Sequence, residues 1–355
     1  WRKQVLAWLR QQYPGVSIEE IDGSICDCVR GSGFSVYRFA HDVLQRQPDL
    51  VLVDYASDDF QANHDDIWAA VEGVVRQARQ SRPDLDLIFL YAFRPPHEEE
   101  YAKGLAPASI SAYEALADRY AIASINMGYR VAQLAREGKL ALKGAAPPGG
   151  LSFSADGVRP GKEGNDLYAA VITEALAKLA TNTTPTTRGL PAPLFRRNLE
   201  RAKLAAITPE MLSGDWQRVV PAEVGGRNFA RHFDELWVTT TPGAKLTFRF
   251  QGTAASLFNV MGPTTGRLRV TVDGQDRGTR QQVDPWSYYY RLAAIDLVSG
   301  LPDKEHTVVV ELLPDVPDRS VPIAEAKKAN RYNEQDFAGV GMHLGWIRLV
   351  GELVK

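Results

Sequence analysis

At Thr181 the chain changes texture, and that change constrains its fold more than any other feature. The stretch from Thr181 to Pro193 is rich in Thr and Pro and carries no hydrophobic periodicity, so it reads as a linker or as an extended wrap over the surface. Before it, strand-like and helix-like segments alternate, the pattern of an α/β domain with a mainly parallel sheet. Asp49–Ala56 is a continuous apolar run bounded by turn formers, as expected of a strand covered on both faces. Leu85–Ala92 and Ala121–Asn126 repeat that character, and Ser17–Ser24 is a candidate short strand. Helical patterns fall at Val5–Gln12, Tyr37–Gln47, Asp66–Gln80, Ile110–Tyr120, Tyr129–Glu137 and Lys162–Ala180. After it come short strand-like runs at Leu236–Thr241, Lys245–Phe250, Ala255–Val260, Arg267–Val272, His306–Leu313 and Gly345–Val350, separated by turn signals. Closely spaced strands of this kind predict an antiparallel sandwich of the jelly-roll type.

Composition narrows the function classes. At 355 residues the chain is long enough for two domains, expected at 1–180 and 206–355 with a linker over 181–205. A net charge of −2 without a long basic run excludes the electrostatic footprint of a nucleic-acid or anionic-membrane binder. No stretch reaches the roughly 18 consecutive apolar residues of a membrane span. Two cysteines, Cys26 and Cys28, are too few and too close for a disulfide framework. No metal or cofactor is implied: His41, His64 and His97 show no ligand spacing, and surface or capping roles are expected for them. Cys28 is expected to be a buried structural thiol.

The most informative motif is Asp156-Gly-Val-Arg159-Pro160, followed by Gly164-Asn-Asp-Leu-Tyr-Ala169. It resembles the last conserved block of the SGNH/GDSL hydrolases, usually Asp-Gly-Val-His-Pro, whose histidine is the general base. Here that position is Arg159, and a guanidinium that stays protonated cannot take a proton from a hydroxyl. Further segments resemble a subgroup of the family with a C-terminal β-sandwich: Tyr37–Tyr55, Glu99–Gly104, Tyr113–Tyr120 and Ala135–Leu140. The resemblance implies a flavodoxin-like fold for residues 1–180, with its first strand and serine block upstream of Trp1.

The family's active positions are altered. Its third block usually ends Val-Asn-Asp, the asparagine donating to the oxyanion; Ser57-Asp58-Asp59 places Asp58 there, and a carboxylate repels developing negative charge. The glycine block falls near Cys28–Gly31, with Val29 at the usual position and Gly31 able to serve if the loop is shifted. Asp27 is a further acid in that loop.

Alternatives stay open for the candidates. Asp58 and Asp156 form a carboxylate pair for glycoside hydrolysis, or Asp156 caps the helix near Lys162 or pairs with Arg159. Asp59 caps the turn that follows it, and is otherwise a substrate-binding candidate. Arg159 clamps a carboxylate or sulfate, or closes a salt bridge to Asp58 or Asp156. In the second domain most aromatics should fill the core, while Trp286 and Tyr288 are candidates to stack on sugar rings. The reading is a carbohydrate-active hydrolase with a rebuilt site, acting on a glycosyl or acyl bond of an oligosaccharide or polysaccharide. A non-catalytic glycan-binding pseudoenzyme and an acetyl esterase with an upstream serine are the alternatives. A periplasmic or extracellular location is expected.

Overall fold

The computed structural model describes residues 1–25, 29, 31–181, 189–224 and 229–354. They form two compact units, one built from residues up to Glu200 and the other from Arg201 onward, with Ile25 and Val29 grouped in the second. No helix is long and apolar enough to cross a membrane.

The first unit runs α1 (Arg2–Gln12), α2 (Ser32–Asp42), β1 (Leu50–Val53), α3 (His64–Ser81), β2 (Asp86–Tyr91), α4 (His97–Ala102), α5 (Ala108–Tyr120), β3 (Ala123–Asn126), α6 (Met127–Arg136), β4 (Leu140–Ala141), β5 (Leu151–Ser152) and α7 (Lys162–Leu179). β1, β2 and β3 form a parallel sheet in that order, with Val53 opposite Phe89 and Tyr91 opposite Asn126. β4 and β5 form a separate parallel pair. Leu87, Phe89 and Leu90 are buried almost completely, so the central strand is covered on both faces as its unbroken apolar run predicts. α3 buries Ile67, Ala70, Val71, Val74, Val75 and Ala78, the one-sided spacing of an amphipathic helix. Asn63 caps it by accepting from the Asp66 N–H at 2.9 Å, with Asp65 and Asp66 set against the positive end of the helix dipole. Ser17–Ser24, expected as a strand, is irregular. It has Asp22 and Gly23 at its centre, and its polar groups are engaged locally: Asp22 accepts from the Ser24 N–H and from Arg2, and Gly23 carbonyl from Arg38.

The end of the Thr/Pro-rich stretch is fastened down. Glu72, fully buried on α3, accepts the N–H groups of Leu194 at 2.6 Å and Phe195 at 2.7 Å together with the Tyr120 hydroxyl. Arg76 donates to the Pro191 carbonyl and to Glu200. Residues 189–200 thereby wrap the first unit, their backbone groups satisfied by side chains instead of a ladder.

The second unit contains β6 (Ala202–Ala206), β7 (Leu212–Ser213), β8 (Gln217–Val219), β9 (Leu236–Thr239), β10 (Lys245–Met261), β11 (Arg267–Val272), β12 (Gln275–Gln281), β13 (Arg291–Val298), β14 (Lys304–Leu312), α8 (Ser320–Lys328) and β15 (Met342–Leu353). Among the described residues they make one large antiparallel hydrogen-bonded sheet ordered β12-β11-β14-β10-β15-β9-β8, with β13 and β7 joined to β10 and β6 to β15. Lys245–Phe250 and Ala255–Val260, expected as separate strands, are the two halves of β10. The strand changes partner at its middle: Lys245–Gly252 pairs with β14, and Ala255–Met261 pairs with β13. Gly252 makes that corner possible, because it lies opposite Gly351 and a Cβ there would come within 2.2 Å of the Val350 carbonyl. Leu246, Phe248 and Phe250 alternate inward against Val308, Val310 and Leu312, a sandwich-like core of period two. β12 and β13 were not foreseen: Gln275–Gln281 is polar along its whole length and gives no strand signal.

Candidate functional site

In an open parallel sheet the loops after the strands converge at the carboxyl edge, where backbone groups are unspent and ligands bind. In the first unit that edge carries Asp54 to Asp59 after β1, Ala92 to His97 after β2, and Asn126 at the end of β3.

Asp58 follows a tight turn in which its N–H donates to the Tyr55 carbonyl at 2.8 Å. Its carboxylate is ion-paired: Arg94 Nη2 donates to Oδ1 at 2.6 Å, while Arg94 Nε donates to the Ser57 carbonyl at 2.7 Å. Phe60 lies against the same guanidinium at 5.5 Å. The pair is mostly shielded, the two side chains being 14% and 29% exposed. Asp54, four residues earlier, turns a carboxyl inward whose Oδ1 is buried without a partner. Burial and the charge of Asp58 push its pKa up to about 7, against the opposing pull of Arg94 and an Ala92 N–H. Asp54 therefore holds its proton far more readily than an ordinary carboxyl does.

Asp59 serves a different element from the one expected. It caps α2 by accepting the Ser32 N–H at 3.0 Å, instead of capping only its own turn, and it also accepts the Tyr113 hydroxyl at 2.6 Å. Burial raises its pKa, and those hydrogen bonds oppose the rise. Gly31 fits this arrangement because its φ is +80° and a Cβ would meet Asp59 Oδ1 at 2.5 Å. Asp27 and Cys28 lie outside the described residues.

His97, expected at the surface or in a cap, is 2% exposed, and neither ring nitrogen has a partner. It begins α4 and packs edge-on to Tyr101 at 6.2 Å. Burial first, then the positive charge of Arg94, brings its pKa down to about 4, so the ring is neutral at pH 7. Tyr101 donates to Asn126 at 2.9 Å, and Tyr168 accepts the Phe93 N–H at 2.7 Å, which fixes the strand-to-loop exit before Arg94.

Asp156 does not cap α7, whose N-cap is Gly161 without a side-chain bond. It closes its own turn, accepting the N–H groups of Val158 and Arg159 at 2.8 Å each and the Ser154 hydroxyl at 2.7 Å. Those backbone donors hold its pKa well below the usual carboxylate range. Arg159 lies 3.7 Å from it with its own side chain 73% exposed. Asp58 is thus matched to Arg94, and Asp156 to Arg159.

Trp286, in the second unit, is 56% exposed on the loop between β12 and β13. The loop is rigidly built: Asp284 accepts from the Trp286 N–H, from Ser287 and from Arg291. Tyr289 is also exposed, whereas Trp237 and Trp346 belong to the core.

Arg94, Asp54 and His97 were not singled out as site residues by the sequence. An Arg-Pro-Pro-His turn directly after an apolar strand was the available signal, since polar residues at a strand's carboxyl end face the ligand edge.

No family model matches the chain, and no curated protein matches it in sequence. Solved structures do. A two-domain esterase active on acetylated mannans is similar over 99% of this chain and 85% of its own, at 18% identity and a TM-score of 0.72. The same enzyme crystallised with mannopentaose gives 0.71. The likeness is one of fold, and it spans both units.

Proposed function

We propose that the protein is a carbohydrate-active hydrolase on the SGNH plan, with a flavodoxin-like first unit, a jelly-roll-type second unit and a rebuilt site that acts on an acyl ester of a glycan. The observation that carries this reading is the extent of the fold likeness: a structure that cleaves esters from acetylated mannans is matched through 99% of this chain, second unit included. Asp58 paired to Arg94 at the carboxyl edge supplies polar groups where such a sheet binds ligand. A polysaccharide substrate suits a periplasmic or extracellular location, which is part of this proposal.

The chemistry differs from a Ser-His-Asp route at a defined point. Arg159 cannot act as base, and Asp156 is committed to its turn. The glycosidase form of the reading needs a protonated acid, and Asp54 meets that condition better than Asp156 does.

A non-catalytic glycan binder is the second reading, favoured by the exposed Trp286 and Tyr289 on a braced loop. One experiment separates the two. Acetate release and affinity are measured with acetylated and deacetylated mannan and xylan. Release from the acetylated forms supports the esterase. Binding to both forms without release leaves the binder, and Trp286→Ala should then weaken it about tenfold, the upper end of the ~0.5–1.5 kcal/mol of aromatic stacking contacts. Neither release nor binding would overturn both.

A further inference from the structure

Arg94 is held as a rigid donor with capacity to spare. Two of its nitrogens are anchored, Nε on the Ser57 carbonyl and Nη2 on Asp58, and Phe60 covers one face of the fork. Nη1 has no partner among the described residues and is not among the buried atoms that lack one. A guanidinium so fixed offers its remaining N–H groups without further loss of side-chain entropy.

Further hydrogen-bonding capacity nearby is unspent. The His97 N–H donates to the Arg94 carbonyl at 2.9 Å, and both ring nitrogens of His97, like Asp54 Oδ1, are buried without partners. Buried polar atoms in native proteins are usually satisfied, so this edge of the sheet keeps polar capacity that its own fold does not use. The guest must carry an oxygen acceptor, because what Arg94 has left to offer is N–H groups. Asp58 alone would repel such an oxygen. With Arg94 clamped to it, the carboxylate charge is neutralised and the pair presents the remaining guanidinium donors.

We propose that Arg94 binds the carbonyl oxygen of the substrate's acyl group, and the carboxylate of the acid released, while Asp58 is the positioning residue that aims it. This rests on the ester reading above, but its test does not require turnover. The probe is acetate. In protein carrying nitrogen-15 arginine, the Arg94 Nε–H signal should shift saturably as acetate is added. Arg94→Ala and Arg94→Gln should weaken acetate binding about 10- to 100-fold, the usual weight of a hydrogen bond to a charged group. Arg94→Lys keeps the charge but loses the two-point clamp, and should fall between them. Asp58→Asn should weaken binding while the Arg94 signal broadens. Arg10→Ala, which removes an arginine far from this edge in sequence and bound to the Ile18 carbonyl, should change nothing. If the protein releases acetate from a glycan, millimolar guanidinium should restore part of the rate lost in Arg94→Ala, which a purely structural arginine would not show.

The outcomes separate the two ideas. Acetate binding at Arg94 without release from any glycan sustains the carboxylate half of this inference and removes the ester reading together with the carbonyl half. Release with full rate and unchanged acetate affinity in Arg94→Ala or Arg94→Gln sustains the ester reading and overturns this inference. Absence of any acetate-dependent shift in the native protein also overturns it. If Arg94→Ala does not fold, Arg94→Gln and Arg94→Lys decide.

Discussion

The alternating strands of the second unit and the carboxyl edge of the first unit's sheet bury side chains of opposite kinds. Along the first half of β10 the inward face is Leu246, Phe248 and Phe250, and every outward neighbour is polar or charged, so the pattern of one strand states which way it faces. At the carboxyl edge of β1 and β2 the buried groups are Asp54, Asp59 and His97, with Arg94 among them. Apolar burial is non-directional and gains with area, whereas a buried carboxyl or imidazole costs free energy unless something nearby answers it. The contrast locates stability in the alternating strands and chemical potential in the loop ends.

Four measurements bear on the contrast. The largest effect should come from Phe250→Ala, which empties a fully buried site in the second unit's core. A loss of about 3–5 kcal/mol in denaturant unfolding is expected, and a loss under 1 kcal/mol would mean that the alternating face does not carry the stability assigned to it. Next is Glu72→Ala, which strands the Leu194 and Phe195 N–H groups and the Tyr120 hydroxyl. About 2–4 kcal/mol should be lost from the first unit, with protease cutting appearing first near residues 189–200. Cutting elsewhere would show that the wrap does not depend on this acid.

The third test is one of pH. His97 titrates near 6.5 when unfolded and near 4 when folded, so the unfolded chain binds the extra proton between those values. Stability is therefore present above about 6.5 and falls as the pH drops through that window, by an expected ~2–3 kcal/mol. Asp54 acts with the opposite sign: its raised folded pKa makes the first unit lose stability as the pH rises from about 4 towards 7. Between about pH 4 and 7 the two contributions offset one another, so His97→Phe should leave stability falling as the pH rises, and Asp54→Asn should leave it rising. Identical pH curves for both variants and the native protein would dissolve the contrast. The smallest effect should be that of Asp156→Ala, which frees two backbone N–H groups in an exposed turn. About 1 kcal/mol is expected from thermal melting, and a much larger loss would mean that the turn is braced beyond its own residues.

Much of the architecture was legible. Asp49–Ala56, Leu85–Ala92 and Ala121–Asn126 contain β1, β2 and β3, because doubly covered strands are unbroken apolar runs. Arg267–Val272 coincides with β11, because a one-sided strand alternates. Gln275–Gln281 escaped notice because it is polar throughout, and Lys245–Phe250 and Ala255–Val260 were expected as two strands where Gly252 lets one strand change partner. At the site, Asp58 and Arg159 were visible as replaced letters in motifs that resemble a known family's, and the pairing of Asp156 with Arg159 was one of the alternatives, but the partner of Asp58 was not visible.

What the sequence by itself determined is the alternation of β1, β2 and β3 with helices in the first unit, the change of architecture after the Thr/Pro-rich stretch, and the absence of a base at Arg159, since each follows from local pattern or from the intrinsic chemistry of one side chain. Only the tertiary structure decided that Asp58 faces Arg94 from 36 positions away, that Asp59 caps a helix 27 positions earlier in the chain, and that His97 is buried beside a cation. Protonation and pairing depend on which charges and how little water surround a group, and those neighbours come from different strands that only folding brings together.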